Sequence, residues 1–193
     1  MNTSNIETAA SVRSRERPAS ERVAWAVYQS PLGPLTLVGA AAGLKALYFP
    51  GRAPDLSLAS HRPAELSGAI EQLRQYFAGE RQRFEVDLDL VGTQFQRRVW
   101  QQLLQIPYGT TVSYTSLARA VGRLDRIRAV AAAVGQTPLP IIAPCHRVIA
   151  ADGALTGYAG GLERKAALLE LERRAVAGLS YKPVSTFRQL ALL

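Results

Sequence analysis

The chain of 193 residues is poor in cysteine, histidine and methionine, with one, two and one of these residues. A single cysteine cannot form an internal disulfide, and no cluster of thiols offers a structural zinc site. No apolar run approaches the ~20 residues that a membrane-spanning helix needs, so no membrane partner is expected. Residues 1–22 lack an apolar stretch followed by a cleavage site, which predicts a cytoplasmic protein.

Acidic side chains are scarce in the middle of the chain. Residues 91–150 contain 7 basic and 1 acidic side chains, whereas residues 1–90 contain 10 of each and residues 151–193 contain 6 and 4. An arginine-rich composition would explain the preference for Arg, since 20 of the 23 basic residues are Arg. It does not explain the near absence of Asp and Glu, and the local excess of positive charge therefore favours nucleic acid as the partner.

The first half of the chain is typical of a small sheet domain behind a polar tail. Residues 1–21 are polar and aperiodic, which predicts a flexible tail. Short β-type runs broken by Pro and Gly at 23–51 predict an antiparallel meander. An amphipathic helix closing at Gly79 follows, and strict alternation at 84–90 predicts a further strand with its apolar side chains on one face.

The second half is typical of helices. Thr93 and Gln96 have the spacing of a capping box in front of a helical apolar stripe. Two short helices, at 115–122 and 125–135, are joined by a turn that contains Gly122, and Asp125 is the expected N-cap of the second. That pattern, in the segment that carries the positive charge, predicts a helix-turn-helix.

The last segments are predicted to be a buried extended run and a final helix. The run at 139–150 is apolar and bounded by prolines. The second of the two short helices is expected to bury Ile127, Val130 and Val134. The final helix, at 161–174, is expected to turn four apolar side chains inward: Leu162, Ala166, Leu169 and Leu171.

Any cysteine chemistry in this chain must use Cys145, and any histidine chemistry must use His146 or His61. A lone cysteine is usually an inert buried thiol, but an adjacent His and Arg can favour the nucleophilic thiolate. Because successive side chains diverge in an extended segment, a water relay from Cys145 to His146 is expected rather than direct contact. The imidazole then needs an acid to orient it, and Glu170 and Glu172 are the candidates.

Three segments, in this order, carry a resemblance to a known family: IPYGTTVSYTSLARAVG, RAVAAAVGQTPLPIIAPCHRVI and GALTGYAGGLERKAALLELE. They resemble the O6-alkylguanine-DNA alkyltransferases, also called methylated-DNA–protein cysteine methyltransferases, and the runs SPLGPLTL and GTQFQRRVWQQL fit the upstream elements of that family. The resemblance covers about residues 23–174. It implies an α+β fold with a ribonuclease-H-like, antiparallel sheet domain at 22–90 and a mostly helical domain at 91–175. The latter contains the helix-turn-helix and the PCHRV motif, and 176–193 form a C-terminal extension.

The resemblance implies roles for individual residues. Cys145 aligns with the alkyl-accepting cysteine, and His146, through water, and Glu172 align with the pair that removes its proton. Tyr114 aligns with a tyrosine that donates a hydrogen bond to a guanine ring nitrogen and crowds the target phosphate. Arg128 aligns with an arginine that enters the duplex where the base has left.

Two further groups of residues follow from the same resemblance. The wall of the pocket and the loop that faces the extruded base align with Pro140, Val148, Tyr158, Ala159 and Gly160. Positions that touch the DNA backbone align with Gln96, Thr115, Arg123 and Ala151. The implied partner is double-stranded DNA carrying alkylated bases. The protein is expected to be a monomer that can self-associate on DNA. No metal or organic cofactor is implied.

The function that the resemblance implies is DNA repair by irreversible, single-turnover transfer of an alkyl group from O6-alkylguanine, and from O4-alkylthymine, to Cys145. One alternative is a non-catalytic relative that only binds alkylated DNA, although such relatives lack the cysteine. A second is a cysteine hydrolase, which leaves the basic helix-turn-helix unexplained. The family generally has Asn where this chain has Thr137, and since a hydroxyl offers fewer hydrogen bonds than an amide, a lower rate or stability is expected.

Overall fold

A computed structural model describes residues 23–180 of the chain. The predicted tail at 1–21 and most of the predicted extension at 176–193 lie outside these residues. The α+β fold is confirmed, since a four-stranded sheet is followed by a mostly helical half in this part of the chain. Over the same residues, no helix has the length and apolar character needed to cross a membrane.

The sheet is the predicted meander with one additional short strand. Strands β1 (Ala24–Ser30), β2 (Gly33–Ala40) and β3 (Gly43–Tyr48) pair antiparallel in sequence order. The short strand β4 (Ser60–His61) pairs parallel to β1 at the other edge, which gives the order β3-β2-β1-β4. Both residues of β4 are exposed, so the sequence around it lacks the alternation of apolar and polar residues that predicts a strand.

The predicted strand at 84–90 is wrong. This segment makes a single bridge to β3, in which Leu44 N donates to Asp87 O over 2.8 Å and Asp89 N donates to Leu44 O over 2.9 Å. Gly43 permits the approach, since its φ is +130° and a Cβ there would lie 2.5 Å from Asp87 O. The alternation nevertheless marks one buried face, formed by Phe84, Leu88 and Leu90.

Helix α1 (Ser67–Phe77) packs one face into the core and ends before Gly79, which has a φ of +77°. The buried positions of the helix are Ala69, Leu73, Tyr76 and Phe77. A continuous cluster of buried apolar side chains joins this helix and the sheet to the helices of the second half. The two halves are also linked at the backbone, where Leu47 N of β3 donates to Pro138 O over 2.9 Å.

The second half consists of four helices and a two-stranded parallel pair in the described part of the chain. The helices are α2 (Gln94–Leu103), α3 (Tyr114–Val121), α4 (Ile127–Gly135) and α5 (Leu162–Val176). The strands are β5 (Val112–Ser113) and β6 (Val148–Ile149). The predicted capping box of α2 is confirmed, because Gln96 N donates to Thr93 Oγ1 over 3.2 Å and Thr93 N donates to Gln96 Oε1 over 2.8 Å.

Helices α3 and α4 form the predicted pair of short helices. Gly122 ends α3 in the left-handed conformation, at φ +73°. The predicted N-cap is wrong: α4 has no side-chain cap, and Asp125 lies in a preceding 3-10 turn, where its carboxylate accepts two hydrogen bonds of 3.1 Å from Arg123. Ile127 is exposed rather than buried because it is the first residue of α4, whereas Val130 and Val134 are buried.

The inward face of α5 differs from the prediction. Of the four side chains expected inside, only Leu171 is buried; the exposed or half-buried ones are Leu162, Ala166 and Leu169. The buried residues of the helix are Lys165, Leu168, Leu171 and Glu172. Two of these four buried residues, Lys165 and Glu172, are charged. The spacing of apolar residues in the sequence therefore cannot identify the buried face of α5.

Candidate active site

Cys145 lies in a tight turn rather than in the predicted extended segment. Residues Cys145–Arg147 form one turn of 3-10 helix directly before β6. Upstream, Ala143 N donates to Leu139 O over 2.8 Å, and Ile141 has a left-handed φ of 76° although it is β-branched. Such a conformation costs on the order of 1–3 kcal/mol and persists only where the surroundings fix it, as they do for the fully buried Ile141.

The thiol of Cys145 is buried, with 5% of the residue exposed. Burial raises its pKa to about 12, although a hydrogen bond from the Thr137 hydroxyl and the positive charge of Lys165 act in the opposite direction. The neutral thiol is therefore the resting form at pH 7. The expected thiolate is wrong for the resting protein because burial raises the pKa of the thiol, and the neighbouring Arg147 guanidinium pairs with Glu172 instead.

His146 is oriented by a carboxylate on α5. Its Nε2 lies 2.8 Å from Oε1 of Glu172, and both side chains are fully buried. Burial lowers the pKa of His146, against the opposite effect of Glu172, so the ring is neutral at pH 7. Since an ionised carboxylate can only accept, Nε2 carries the proton. Nδ1, which is buried without a partner among the described residues, is left as a proton acceptor.

Glu172 is the carboxylate that orients His146, and its two oxygens are fully used. Oε1 accepts from Tyr76 Oη at 2.7 Å and from Arg147 Nη2 at 2.9 Å, in addition to His146. Oε2 accepts from Arg147 Nε at 2.9 Å and from Gly109 N at 3.0 Å. Burial alone would raise the pKa of Glu172, but hydrogen bonds and charge from His146 and Arg147 lower it to about 2.

The other candidates for acid and base are elsewhere. Glu170 is paired on the surface with Arg173, whose Nε lies 2.7 Å from Oε2. His61 is exposed in β4, with its ring 4.6 Å from that of Trp25. The structure therefore brings together Cys145, His146 and Glu172.

Tyr114 and Tyr158 border the same site. Tyr114 is half-buried, with Oη 3.5 Å from Thr156 O, at the outer limit of a hydrogen bond. The ring of Tyr158 lies 6.5 Å from that of His146, and its buried hydroxyl has no partner among the described residues. The pKa of each phenol is raised by burial and, further, by the charge that Cys145 can carry. Both phenols therefore stay protonated at pH 7.

The remaining residues of the expected pocket wall lie mostly in the interior. Pro140, Val148 and Gly160 are buried and Ala159 is half-buried. Gly160 is required for close packing, because a Cβ there would lie 2.7 Å from the Phe49 ring and 2.8 Å from the Tyr158 ring.

The expected DNA contacts lie on or beside the helix-turn-helix, but not all of their side chains are available. Arg128 and Ala151 are exposed, and Thr115 is half-buried. The amide of Gln96 is already occupied, since Nε2 donates to Gln136 Oε1 over 2.7 Å and Oε1 accepts from Thr93 N. Arg123 is paired with Asp125.

A groove of about 530 Å³ opens on the same half of the protein. It is lined by Gln94, Phe95, Arg97, Arg98, Gln101 and Arg123. The guanidinium groups of Arg97 and Arg123 already bond to Gly92 O and to Asp125, whereas Arg98 is exposed. An exposed guanidinium in a groove suits a phosphate of a nucleic-acid strand. The net charge of residues 91–150 indicated this surface, but not Arg97 and Arg98 individually.

Family models match both halves of the chain. The ribonuclease-like domain of 6-O-methylguanine DNA methyltransferase matches residues 23–90, and the DNA binding domain of the same family matches residues 94–174. The chain belongs to the methylated-DNA–protein-cysteine methyltransferase family.

Named members of this methyltransferase family are similar over most of the chain. The Mycobacterium bovis methylated-DNA–protein-cysteine methyltransferase is 52% identical over 161 residues, which cover 78% of this chain and 93% of that protein. The Methanosarcina acetivorans protein of the same name is 42% identical over 151 residues, covering 77% and 97%. A crystal structure of Mycobacterium tuberculosis OGT in complex with DNA is 49% identical, with a TM-score of 0.75 over 79% of this chain and 94% of that chain.

Sequence reasoning missed two polar side chains of the site, Lys165 and Tyr76. It singled out Arg147 but expected it to act on the thiol, whereas its guanidinium binds Glu172. Lys165 donates to Val148 O over 2.6 Å and to Thr156 O over 2.7 Å, and so ties β6 and the loop at 150–157 to α5. Tyr76 comes from α1, where its position in the apolar stripe gave no sign of a role for its hydroxyl.

Proposed function

We propose that the chain repairs DNA by transferring the alkyl group of O6-alkylguanine to Sγ of Cys145. The observation that carries the assignment is the arrangement at His146, the residue that follows Cys145. Its Nε2 lies 2.8 Å from Oε1 of the ionised Glu172, and its Nδ1 is buried without a partner among the described residues, so it is left as a proton acceptor. A neutral thiol with a proton acceptor beside it can become a nucleophile when the substrate arrives.

The proposed step begins with the loss of the thiol proton through a bridging water to Nδ1 of His146. The sulfur then attacks the alkyl carbon in line with the carbon–oxygen bond. As the sulfur–carbon bond forms, the carbon–oxygen bond breaks and its electron pair moves onto guanine. Guanine takes up one proton, so that in the net balance the thiol proton ends on the base and the alkyl group on Cys145.

The substrate must leave the base stack to reach a buried sulfur. Flipping costs a few kcal/mol, and less for a mispaired alkylated base. Arg128, exposed on the first turn of α4, is suited to fill the space that the base leaves. The Tyr114 hydroxyl is suited to stabilise the negative charge that builds on the guanine ring. O4-alkylthymine is proposed as a second substrate of the same site.

The product explains why each molecule acts once. A thioether has no easy leaving group, so an alkylated Cys145 is not regenerated. The chain is proposed to act in the cytoplasm as a monomer that can self-associate on DNA. The non-catalytic alternative does not use the relay from Cys145 to Glu172, and the hydrolase alternative does not use the basic groove.

The test is the stoichiometry of alkyl removal from a duplex that contains O6-methylguanine. Wild type should remove one methyl group per protein molecule, and mass spectrometry should find one added methyl on the peptide that contains Cys145. The variant Cys145→Ser should bind the duplex and remove nothing. Demethylated DNA beside an unmodified peptide, or removal of many methyl groups per molecule, would overturn the proposal.

A further inference from the structure

A tyrosine of the sheet domain reaches the proton relay of the helical domain. Tyr76 lies on α1 and is fully buried. Its hydroxyl donates to Oε1 of Glu172 over 2.7 Å and lies 3.5 Å from Nε2 of His146. Of the side chains that hydrogen bond to this carboxylate in residues 23–180, Tyr76 is the one from the first half of the chain, since the others are His146 and Arg147.

Tyr76 and His146 share one acceptor atom. The same Oε1 receives the Tyr76 hydroxyl at 2.7 Å and the His146 Nε2 at 2.8 Å. A hydrogen bond donated to a carboxylate stabilises its negative charge and lowers its basicity, so the oxygen that accepts it is a weaker acceptor for a second donor. The donation from Tyr76 therefore weakens the stabilisation that Glu172 gives to a protonated His146.

Other groups face this pair from several elements, and of these Arg147 also donates to Oε1 of Glu172. The titratable and charged side chains around Glu172 and His146 are Cys145, Arg147, Tyr108, Tyr158 and Lys165. Arg147 is a permanent cation, and Lys165 is committed to two carbonyl oxygens. The hydroxyls of Tyr108 and Tyr158 have no hydrogen-bond partner among the described residues.

We propose that Tyr76 is a positioning residue through which the sheet domain sets how strongly Glu172 holds a proton on His146. This inference rests on the proposed function, because it assigns a role within the same relay. With Tyr76 in place, His146 stays neutral over a wider pH range and remains ready to accept the thiol proton. A purely structural tyrosine would fill space and stabilise the fold without changing that range.

The test compares Tyr76→Phe with the matched control Tyr108→Phe. The Tyr108 ring lies 5.9 Å from that of Tyr76, and each variant removes one buried hydroxyl and keeps the ring. Single-turnover rate constants for alkyl transfer are measured from pH 5 to 9 on methylated duplex, with the active fraction determined by titration. The acid-side midpoint should move up by about 0.5–1 pH unit in Tyr76→Phe, and it should not move in Tyr108→Phe.

A second variant and a second measurement keep the inference testable if Tyr76→Phe does not fold. Incorporation of 3-fluorotyrosine at position 76 keeps the shape and makes the hydroxyl a stronger donor, so the midpoint should move down. The ¹⁵N chemical shifts of the His146 ring report the same titration without any alkyl transfer. An unchanged midpoint in the Tyr76 variants, or an equal shift in Tyr108→Phe, would overturn the role of Tyr76. Failure of the wild type to transfer the alkyl group would instead overturn the proposed function.

Discussion

Arg147 and Glu172 form a two-point ion pair in the interior of the protein. Nη2 of Arg147 lies 2.9 Å from Oε1 and Nε lies 2.9 Å from Oε2, and the two side chains are 7% and 0% exposed. The third nitrogen, Nη1, donates to Ile106 O over 2.6 Å. The pair ties the turn that carries the thiol to α5, and it fixes which carboxylate oxygen faces His146.

Removal of one partner of this pair should destabilise the fold strongly. Arg147→Met leaves Glu172 as a buried charge without its cation, which typically costs about 3–5 kcal/mol. The matched control is Arg173→Met, which breaks an exposed pair with Glu170 and should change stability little, because solvent screens such pairs. Urea unfolding measures both free energies, and equal losses in the two variants would contradict the importance of burial.

The features that the sequence predicts well are those set by neighbouring residues. The capping box of α2 needs only Thr93 and Gln96 three positions apart, and the end of α3 needs only Gly122. Cys145 and His146 were found because they stand in one short motif. The sequence offered both Glu170 and Glu172 as the acid that orients the imidazole. In the structure α5 buries Glu172 and not Glu170, so Glu172 is the residue that contacts His146.

The features that the sequence does not predict depend on distant packing. Tyr76 lies on the same face of α1 as Leu73 and Phe77. From its position in the sequence it is therefore indistinguishable from an aromatic residue that only fills the core. The hydrogen bond to Glu172 joins residues 96 positions apart. Lys165 lies in the buried stripe of α5 although it is charged, since the carbonyl oxygens that satisfy it come from other segments.

Replacement of Thr137 by the residue usual in the family should increase activity. The Thr137 hydroxyl has one proton for two acceptors, the Val134 carbonyl oxygen at 2.7 Å and the Cys145 sulfur. An amide has two N–H donors, so Thr137→Asn can serve both and stabilise the developing thiolate. The single-turnover rate should rise on the order of tenfold, and Thr137→Val should lower it. No change in rate or stability with Thr137→Asn would contradict this explanation.

Alkyl transfer should depend on pH through His146. Burial holds the pKa of His146 below its ordinary value, so the ring is neutral at pH 7 and can accept the thiol proton. As the pH falls through that pKa, the ring gains a proton and the rate should fall, with a midpoint below about 6.5. Because burial raises the pKa of Cys145 to about 12, the thiol does not ionise by itself below pH 9. The rate of alkyl transfer is therefore expected to show no further increase between its plateau and pH 9.

The measurement is the single-turnover rate constant at saturating DNA from pH 4.5 to 9. Binding of the same duplex by Cys145→Ser at each pH serves as the control, because it separates loss of affinity from loss of chemistry. A midpoint above 7, or a rate that climbs tenfold per unit between pH 7 and 9, would mean that solvent rather than His146 removes the proton.

The arginine-lined groove should contribute to DNA binding through phosphate contacts. Each phosphate that a cation neutralises adds about 0.9 to the slope of log affinity against log salt. Arg98→Ala removes one exposed guanidinium of the groove and should reduce that slope by about 1 on duplexes of any sequence. Arg98→Lys should retain the slope, because the charge remains.

The matched control is Arg83→Ala, which removes an exposed arginine of the sheet domain and should leave the slope unchanged. Fluorescence anisotropy at several salt concentrations measures each slope. If Arg98→Ala keeps the wild-type slope while affinity falls only for alkylated duplex, the groove recognises the lesion rather than the backbone. The positive charge of residues 91–150 would then need another surface to act on, since phosphate attraction does not distinguish damaged from undamaged DNA.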